Sequence, residues 1–370
     1  MHTQFLVKAP FDARLHALIF LFAIVFGTVW PALNEVVFQT SASAIYQTIP
    51  PRYRNYAFIG RSIKAGGIVD VLVVGPSHLW SGISVDVLES ELSKSLGRPA
   101  KALNFGSSWF GLEADYSKVH DALKSIKPKI VLVADAPTGP HPPHQLTKYF
   151  WRPLEMQAPA GLSTFDRLSL YAISILGAPH RFWADAQGGA KFTAKRTKIE
   201  NKYIKDKGFN NKNTDQYGWL SHADKNQKHR RKFIDHDHAM PKIPADDMIF
   251  KGREDENFSY LNPSYDCYQS AFLRAISDDV KESGAVFATL SIPTHWANRP
   301  MERTLVRRLC NDVEKPWAQI GVPMQRLFEN VPYDQMLDYY HNETHLNAAG
   351  AKRFTAAIAP AIAKLIVDAK

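Results

Sequence analysis

The stretch VDVLVVGPSH, residues 69–78, joins a continuous apolar, β-branched run to a Gly-Pro-Ser-His turn. Such a run is typical of a strand that is buried on both faces of a parallel sheet. The helical spacing of VDVLESELSKSL, residues 85–96, predicts an amphipathic helix soon after the turn. A serine at the end of a buried strand lies at the carboxyl edge of the sheet, where open α/β folds bind ligands. We therefore take Ser77 as a candidate nucleophile.

Strands and helices alternate on both sides of this stretch. Periodicity and β-branched runs predict strands at residues 68–74, 102–105, 130–134 and 285–292, and helices at 85–96, 112–126, 269–283, 302–320 and 348–367. This alternation predicts βαβ units and a mostly parallel sheet. We expect a three-layer α/β sandwich with a flavodoxin-like sheet in residues 67–370. An insertion at about residues 137–262 interrupts it and serves either as a lid or substrate surface or as a solvated excursion.

Composition restricts the partners and cofactors. The formal charge of +9 favours a polyanion, which can be anionic lipid, acidic polysaccharide or nucleic acid. Nucleic acid is not expected, because no zinc-finger spacing, RNP-like motif or basic heptad region accompanies the charge. We expect no cofactor and no metal, because phosphate-binding glycine motifs are missing and His236-Asp237-His238 has no supporting ligands. Cys267 and Cys310 either pair in an oxidising compartment or are buried as thiols.

The amino-terminal segment predicts a membrane anchor. Residues 15–33, LHALIFLFAIVFGTVWPAL, are almost free of charge. At ~1.5 Å per residue they are long enough for the ~30 Å hydrocarbon core of a bilayer. Lys8 and Arg14 precede this segment, whereas residues 31–50 contain no lysine or arginine. The positive-inside rule therefore places the amino terminus in the cytoplasm.

This orientation divides the chain into four parts. We expect a cytoplasmic tail at residues 1–14, a transmembrane anchor at 15–35 and a juxtamembrane linker at 36–66. Residues 67–370 then lie outside the cytoplasm. A cleaved signal peptide that ends near the Ala-Ser-Ala stretch at residues 42–44 is the alternative.

A late block, HNETHLNAAG at residues 341–350, contains the base that a serine nucleophile needs. A serine hydroxyl becomes reactive when a base removes its proton, and histidine is the usual base because it titrates near neutrality. We take His345 as the candidate base and Asn342 as the group that orients its imidazole. Gly106 follows the second strand as Ser77 follows the first. The amides of these two residues are candidate donors to an oxyanion.

At these residues the chain resembles the SGNH, or GDSL-type, hydrolase superfamily. There the nucleophilic serine follows the first strand, as in the turn at residues 75–78. A glycine after the next strand contributes an oxyanion N–H, here Gly106, and a DxxH block supplies acid and base, here residues 342–345. The resemblance covers residues 68–134 and 285–370.

The chain departs from the superfamily pattern at three places. Asn342 stands where aspartate is usual. In the serine-protease triad, asparagine in place of that aspartate lowers turnover about ten-thousandfold, whereas papain-like enzymes use asparagine as the residue that orients their histidine. Asp338 is an alternative orienting group if its segment is helical or folds back. The GxND block is absent, since Asp-Ala-Pro occupies residues 135–137. Pro76 has no N–H to offer an oxyanion.

The layout looks most like the membrane-anchored SGNH-like proteins of cell-envelope acylation, which share a single amino-terminal span, a divergent GxS block and a late DxxHLN-type block. Here the segment HLNAAGAKRF, residues 345–354, carries that similarity. In such systems a membrane-bound O-acyltransferase supplies an acyl group, and the SGNH domain moves it to a glycan. The resemblance implies a periplasmic, inner-membrane-anchored O-acyltransferase, most simply an O-acetyltransferase, that acts on an exported polysaccharide through an acyl-serine. A carbohydrate esterase or deacetylase with the same serine and histidine is one alternative. A catalytically silent subunit of a polysaccharide synthesis or export complex is the other.

Several of these residues also have a purely structural interpretation. Trp80 and Trp109 can stack on sugar rings or belong to the core. Ser77 can cap the helix that follows it, and Asn342 can cap the last helix. Gly106 can be required for a turn with positive φ.

Overall fold

The structure is a computed structural model of the 370-residue chain. It describes Leu18, Leu21, Phe22 and residues 45–46, 49, 55–107, 111–134, 147–153, 155–186, 249–250, 263–293, 317–322, 324–342 and 345–369.

Six described strands form one sheet in the order β2-β1-β3-β5-β6-β4. Their bounds are Gly67–Val74 (β1), Ala102–Asn104 (β2), Ile126–Ala134 (β3), Ile249–Phe250 (β4), Val286–Ser291 (β5) and Ala318–Gly321 (β6). Strands β2, β1, β3, β5 and β6 are parallel, and β4 runs antiparallel along β6. The α/β class and the mostly parallel, flavodoxin-like sheet are thus confirmed. The connection from β1 leads to β2 on one side, and the later strands β3, β5 and β6 follow on the other side. Such a switch in the order of connections opens a crevice at the carboxyl ends of the strands, here between β1 and β3.

The described helices pack on both faces of this sheet. Their bounds are Tyr56–Ala65 (α1), Ser77–Gly82 (α2), Val85–Leu96 (α3), Leu112–Leu123 (α4), Thr147–Phe150 (α5), Thr164–Ala186 (α6), Pro263–Glu282 (α7), Met324–Leu327 (α8), Tyr333–Met336 (α9) and Ala348–Asp368 (α10). Helices α1, α4 and α7 share one buried apolar cluster with the sheet, and α3 and α10 share another on the opposite face. A short hairpin, Tyr340–Asn342 (β7) and His345–Leu346 (β8), precedes α10.

Strand β1 explains the apolar run in the sequence. Val71 and Val73 belong to the cluster beneath α3 and α10, whereas Leu72 and Val74 belong to the cluster beneath α1, α4 and α7. All four side chains are fully buried. A central parallel strand covered on both faces needs apolar residues at consecutive positions, so the strand shows no alternation.

The helix predicted at residues 302–320 is wrong over its last residues. Residues 302–320 were expected to form a helix, but Ala318–Gly321 is strand β6, which pairs in parallel with β5. Pro316 is the sequence signal against that helix, because proline lacks an N–H and disfavours a helix that continues through it. Trp317 and Ile320 belong to opposite apolar clusters, because residues an odd number of positions apart in an extended chain point to opposite faces of the sheet. The rest of that predicted helix lies outside the described residues.

Parts of the predicted insertion, residues 137–262, are described. They include α5, α6 and β4. Trp151, directly after α5, packs on Tyr116 of α4 and Phe272 of α7, and Phe150 stacks with Tyr46 and Tyr56; both side chains are buried. Strand β4 extends the sheet at its edge. These segments therefore belong to the folded body.

The predicted anchor, residues 15–35, lies outside the described residues apart from Leu18, Leu21 and Phe22, which are helical and exposed. Within the part of the chain that the structure describes, no helix has the length and apolar character needed to span a membrane.

Burial of β1 by helices on both faces of the sheet leads to a stability prediction. Leu72→Ala should lower the free energy of unfolding by about 2–5 kcal/mol, because it leaves a cavity between the sheet and α4. Ile68 lies in the same strand but is 71% exposed. Ile68→Ala is therefore the matched control and should change stability by less than about 1 kcal/mol. Urea unfolding of both variants measures the difference, and equal losses would contradict this placement of the strand.

Candidate active site

Ser77 lies at the carboxyl edge of the sheet. Strand β1 ends at Val74, and Ser77 is the first residue of α2, after Pro76 in extended conformation. Proline suits this place because the first amides of a helix have no partner within it. No side chain caps α2. The interpretation of Ser77 as a helix cap is therefore wrong.

His345 reaches the same edge from the other end of the chain. It lies in β8 and pairs with Asn342 of β7 across a tight hairpin. The next residue, Leu346, is fully buried in the cluster that also contains Leu79 of α2. Burial of Leu346 directs the preceding side chain away from the core, because successive residues of a strand point to opposite sides.

The start of α10 holds this hairpin in place. The Asn347 side chain accepts hydrogen bonds from the amides of Ala349 and Gly350, each at 3.0 Å, and thereby caps the helix. Its own backbone N–H donates to the Tyr339 carbonyl at 2.9 Å. A Cβ on Gly350 would lie 2.2 Å from that carbonyl oxygen, so only glycine fits there. The helix cap is Asn347, and the interpretation of Asn342 as the cap is wrong.

The Ser77 hydroxyl and the His345 ring are in direct contact. The distance from Ser77 Oγ to His345 Nε2 is 2.8 Å, and both side chains are half-buried. When His345 is neutral with its proton on Nδ1, the serine hydroxyl donates to Nε2. This is the arrangement in which an imidazole can take the serine proton as the oxygen attacks a carbonyl carbon. The two residues are 268 positions apart in the chain.

The group that orients His345 stays a prediction. Asn342 lies in β7 next to His345, but its side chain lies outside what the structure describes. Asp338 lies in the 3-10 helix Leu337–Tyr339 with an exposed side chain, and its carbonyl accepts a hydrogen bond from Asn347. A helical turn from Asp338 to Asn342, one of the two conditions for Asp338 as the orienting group, does not form, because β7 begins at Tyr340.

Gly106 approaches α2, but its amide is already used. The Gly106 N–H donates to Asn104 Oδ1 at 2.8 Å. A Cβ on Gly106 would lie 2.5 Å from the Trp80 nitrogen, and its φ is not positive. Glycine is therefore needed here for close packing against α2 and not for a left-handed turn. The oxyanion role of this amide has no support in the geometry, and that of the Ser77 amide stays a prediction.

Two asparagines fix the loop that contains Gly106. Asn104 Nδ2 donates to the carbonyls of Leu79 and Trp80 in α2, at 3.3 Å each. Asn55 donates from the other side to the carbonyls of Asn104, at 3.1 Å, and Gly106. These amides tie the end of β2 to the helix that begins with Ser77.

His78, the residue after the candidate nucleophile, lies beside the candidate base. The His78 and His345 rings meet edge to face with centroids 6.4 Å apart. Loss of hydration lowers the pKa of His78 to about 4. At neutral pH, His78 is therefore an uncharged imidazole that does not compete for the proton that His345 would accept.

The two tryptophans have different outcomes. Trp80 is 2% exposed, which excludes the alternative that it stacks on a sugar and supports the alternative that it is a core residue. Trp109 lies outside the described residues.

Sequence reasoning missed the polar groups beneath the site. Asn104, His78 and the buried Lys118 of α4 were not singled out. One signal was present for Lys118: the helix LEADYSKVHDAL has charged residues around most of its circumference, yet α4 lies between the sheet and other elements and buries nearly all of them. A helix with that pattern must pair its charges internally.

Comparison with known proteins adds no family to these observations. No protein-family model matches the chain, and a search of curated proteins also finds no match.

The depressed pKa of His78 predicts a pH-dependent stability. The pKa is about 6.5 in the unfolded chain and about 4 in the folded chain, so the unfolded chain binds the proton first as the pH falls. The stability contribution is complete above pH 6.5 and is lost toward pH 4, which amounts to about 2 kcal/mol between pH 7 and pH 5. His78→Gln lacks this titration. Urea unfolding of both proteins should therefore show that wild type loses about 2 kcal/mol more than His78→Gln between pH 7 and pH 5. Parallel curves would show that His78 titrates normally.

Proposed function

We propose that this chain is an extracytoplasmic O-acyltransferase that modifies an exported or cell-envelope polysaccharide through an acyl-Ser77 intermediate. The observation that carries this proposal is the 2.8 Å contact between Ser77 Oγ and His345 Nε2 at the carboxyl edge of the sheet. A serine and a histidine in this arrangement perform acyl transfer on several unrelated folds.

The first half of the reaction forms the acyl-serine. Ser77 Oγ attacks the carbonyl carbon of the acyl donor, and its proton moves to His345 Nε2. The bond between that carbon and the donor's leaving group then breaks, and His345 returns the proton to the leaving group. The uncharged His78 beside His345 leaves a single imidazolium in the site during this step.

The second half transfers the acyl group to the acceptor. A sugar hydroxyl gives its proton to His345 and attacks the same carbonyl carbon, and the bond to Ser77 Oγ breaks as the serine regains the proton. Water performs the same step in an esterase. Transfer therefore depends on a bound glycan that reacts faster than water.

Charge and the amino-terminal segment support the acceptor and the location. The formal charge of +9 suits an acidic glycan. The apolar segment at residues 15–33 suits an anchor that keeps the domain beside a membrane-bound O-acyltransferase as acyl supplier.

One observation favours a second candidate, the catalytically silent subunit of a polysaccharide complex. The Gly106 amide, the backbone donor expected for the oxyanion, is bonded to Asn104. A serine–histidine pair without donors for the developing charge loses about 10²–10³ in rate per missing donor. The two candidates differ in whether Ser77 carries an acyl group.

Ser77→Ala tests the proposal. In cells that acylate the polymer, the variant should reduce acylation by at least about 10³-fold, because the oxygen that carries the acyl group is removed. Mass spectrometry of the full chain isolated with its membrane partners should show an acyl adduct on the peptide that contains Ser77, and none in the variant.

Ser81→Ala is the matched control. Ser81 lies one turn later in α2, is fully buried and donates to the His78 carbonyl at 3.3 Å. This variant should keep the adduct and the acylation. Full polymer acylation by Ser77→Ala would sink the acyl-serine mechanism and support the silent subunit. Release of free acid from simple esters without a glycan would instead identify an esterase.

A further inference from the structure

The strongest unexplained feature of the site is a lysine buried behind the Ser77 turn. Lys118 of α4 has a side chain that is 1% exposed. An ammonium group loses several kcal/mol of hydration when it is buried, so it must be compensated by close polar partners. The polar partners of Lys118 show which segments of the chain this ammonium group connects.

Three oxygens surround the ammonium. Lys118 Nζ lies 2.7 Å from Asp115 Oδ1, 2.8 Å from Ser107 Oγ and 3.5 Å from the Gly75 carbonyl oxygen. The ring of Tyr56 lies below it, with its centroid 5.7 Å away. Only Asp115 belongs to the lysine's own helix.

The other two oxygens belong to the loops at the carboxyl edge of the sheet. Gly75 is two residues before Ser77, and Ser107 directly follows Gly106. The Ser107 N–H also donates to the Gly75 carbonyl at 3.0 Å. Lys118 therefore joins the turn after β1, through the Gly75 carbonyl, to the loop after β2, through the Ser107 hydroxyl.

We propose that Lys118 is a positioning residue for Ser77, because its ammonium fixes Gly75 and Ser107 and thereby sets the direction of the Ser77 hydroxyl toward His345. This inference rests on the proposed function, in which Ser77 is the nucleophile. Burial raises the pKa of the Asp115 carboxyl, and the charge of Lys118 opposes that rise. Asp115 is thus the counter-charge of the lysine.

A second buried ion pair on the same helix provides the comparison. Asp121, one turn beyond Lys118, pairs with Arg152 and accepts a hydrogen bond from the Tyr46 hydroxyl at 2.9 Å. Arg152 also donates to the Phe150 carbonyl at 3.1 Å. Lys124 and Glu155 are further ionic partners of this pair, at 3.8 Å from Asp121 and 3.1 Å from Arg152. These contacts all lie away from the loops around Ser77.

The test replaces each pair by apolar residues of similar size. Lys118→Met with Asp115→Leu removes both charges, so no unpaired charge is left behind, and such replacements are often neutral or stabilising. Asp121→Leu with Arg152→Met is the matched control. Urea unfolding of the full-length chain in mild detergent confirms that each double variant is folded.

The first readout is the hydrogen bond itself. The 15N chemical shift of His345 Nε2, assigned by comparison with His345→Gln, differs between wild type and Ser77→Ala when the serine donates to that nitrogen. The Lys118/Asp115 double variant should match Ser77→Ala, and the Asp121/Arg152 control should match wild type. A folded Lys118/Asp115 variant that keeps the wild-type shift overturns the proposal.

The second readout is the reaction of Ser77 with a fluorophosphonate probe. Ser77 Oγ forms a bond to phosphorus, fluoride leaves, and His345 takes the serine proton and passes it to water. We expect the Lys118/Asp115 variant to lower kinact by about tenfold to a hundredfold with KI unchanged, because a small displacement of the nucleophile costs rate and not binding. An unchanged kinact overturns the proposal.

The two readouts separate this inference from the proposed function. Suppose that the hydrogen bond is present in wild type and lost in the Lys118/Asp115 variant, but that the probe does not label wild-type Ser77. Lys118 then positions a serine that is not a nucleophile. In that case the proposed function fails and the inference about Lys118 holds. If wild type and Ser77→Ala give the same shift, there is no bond to position and the inference about Lys118 fails, while labelling of wild-type Ser77 by the probe decides the proposed function separately.

Discussion

The apolar layer between the sheet and the pair α3 and α10 is the constraint on which the site depends. Leu79 of α2, Leu346 of β8 and Phe354 of α10 are fully buried in this one cluster. Burial of such side chains contributes about 1.5–3 kcal/mol each, far more than the single hydrogen bond between Ser77 and His345. The Ser84 N–H also donates to Thr355 Oγ1 at 2.9 Å, which joins the start of α3 to α10. The serine and the histidine meet because the two ends of the chain share this core.

A polar framework at the carboxyl edge of the sheet then sets the finer geometry. Asn104 ties the loop after β2 to α2, and Lys118 ties that loop to the turn before Ser77. Buried polar groups of this kind cost free energy unless each finds a partner, so they allow few alternative arrangements. Glycine at position 106 lets the framework come close to α2. The apolar core therefore brings the two residues to one edge, and the polar framework decides which way the hydroxyl points.

The chemistry that this arrangement favours is acyl transfer through a serine, and its weakest part is the stabilisation of the oxyanion. The motif order alone suggested a backbone donor at Gly106, yet that amide turns inward to Asn104. His78 adds an uncharged imidazole next to Ser77 and His345, and neither motif in the sequence indicates this role. The candidate nucleophile and base are thus in contact while the Gly106 amide is bonded elsewhere, and resemblance at short motifs does not fix such donors.

Local sequence determined the elements of this protein and the two residues worth testing. The apolar run of β1 and the periodicity of α3 and α10 follow from nearest-neighbour patterns, and the position of Ser77 after β1 and of His345 before α10 follows from them. The end of the predicted helix at 302–320 failed because Pro316 and pairing with β5 outweighed its helical spacing. Tertiary structure alone decided the Ser77–His345 contact, the burial of Trp80, the inward amide of Gly106 and the place of Lys118 behind the Ser77 turn. These depend on packing between residues far apart in the chain, and no local pattern carries that information.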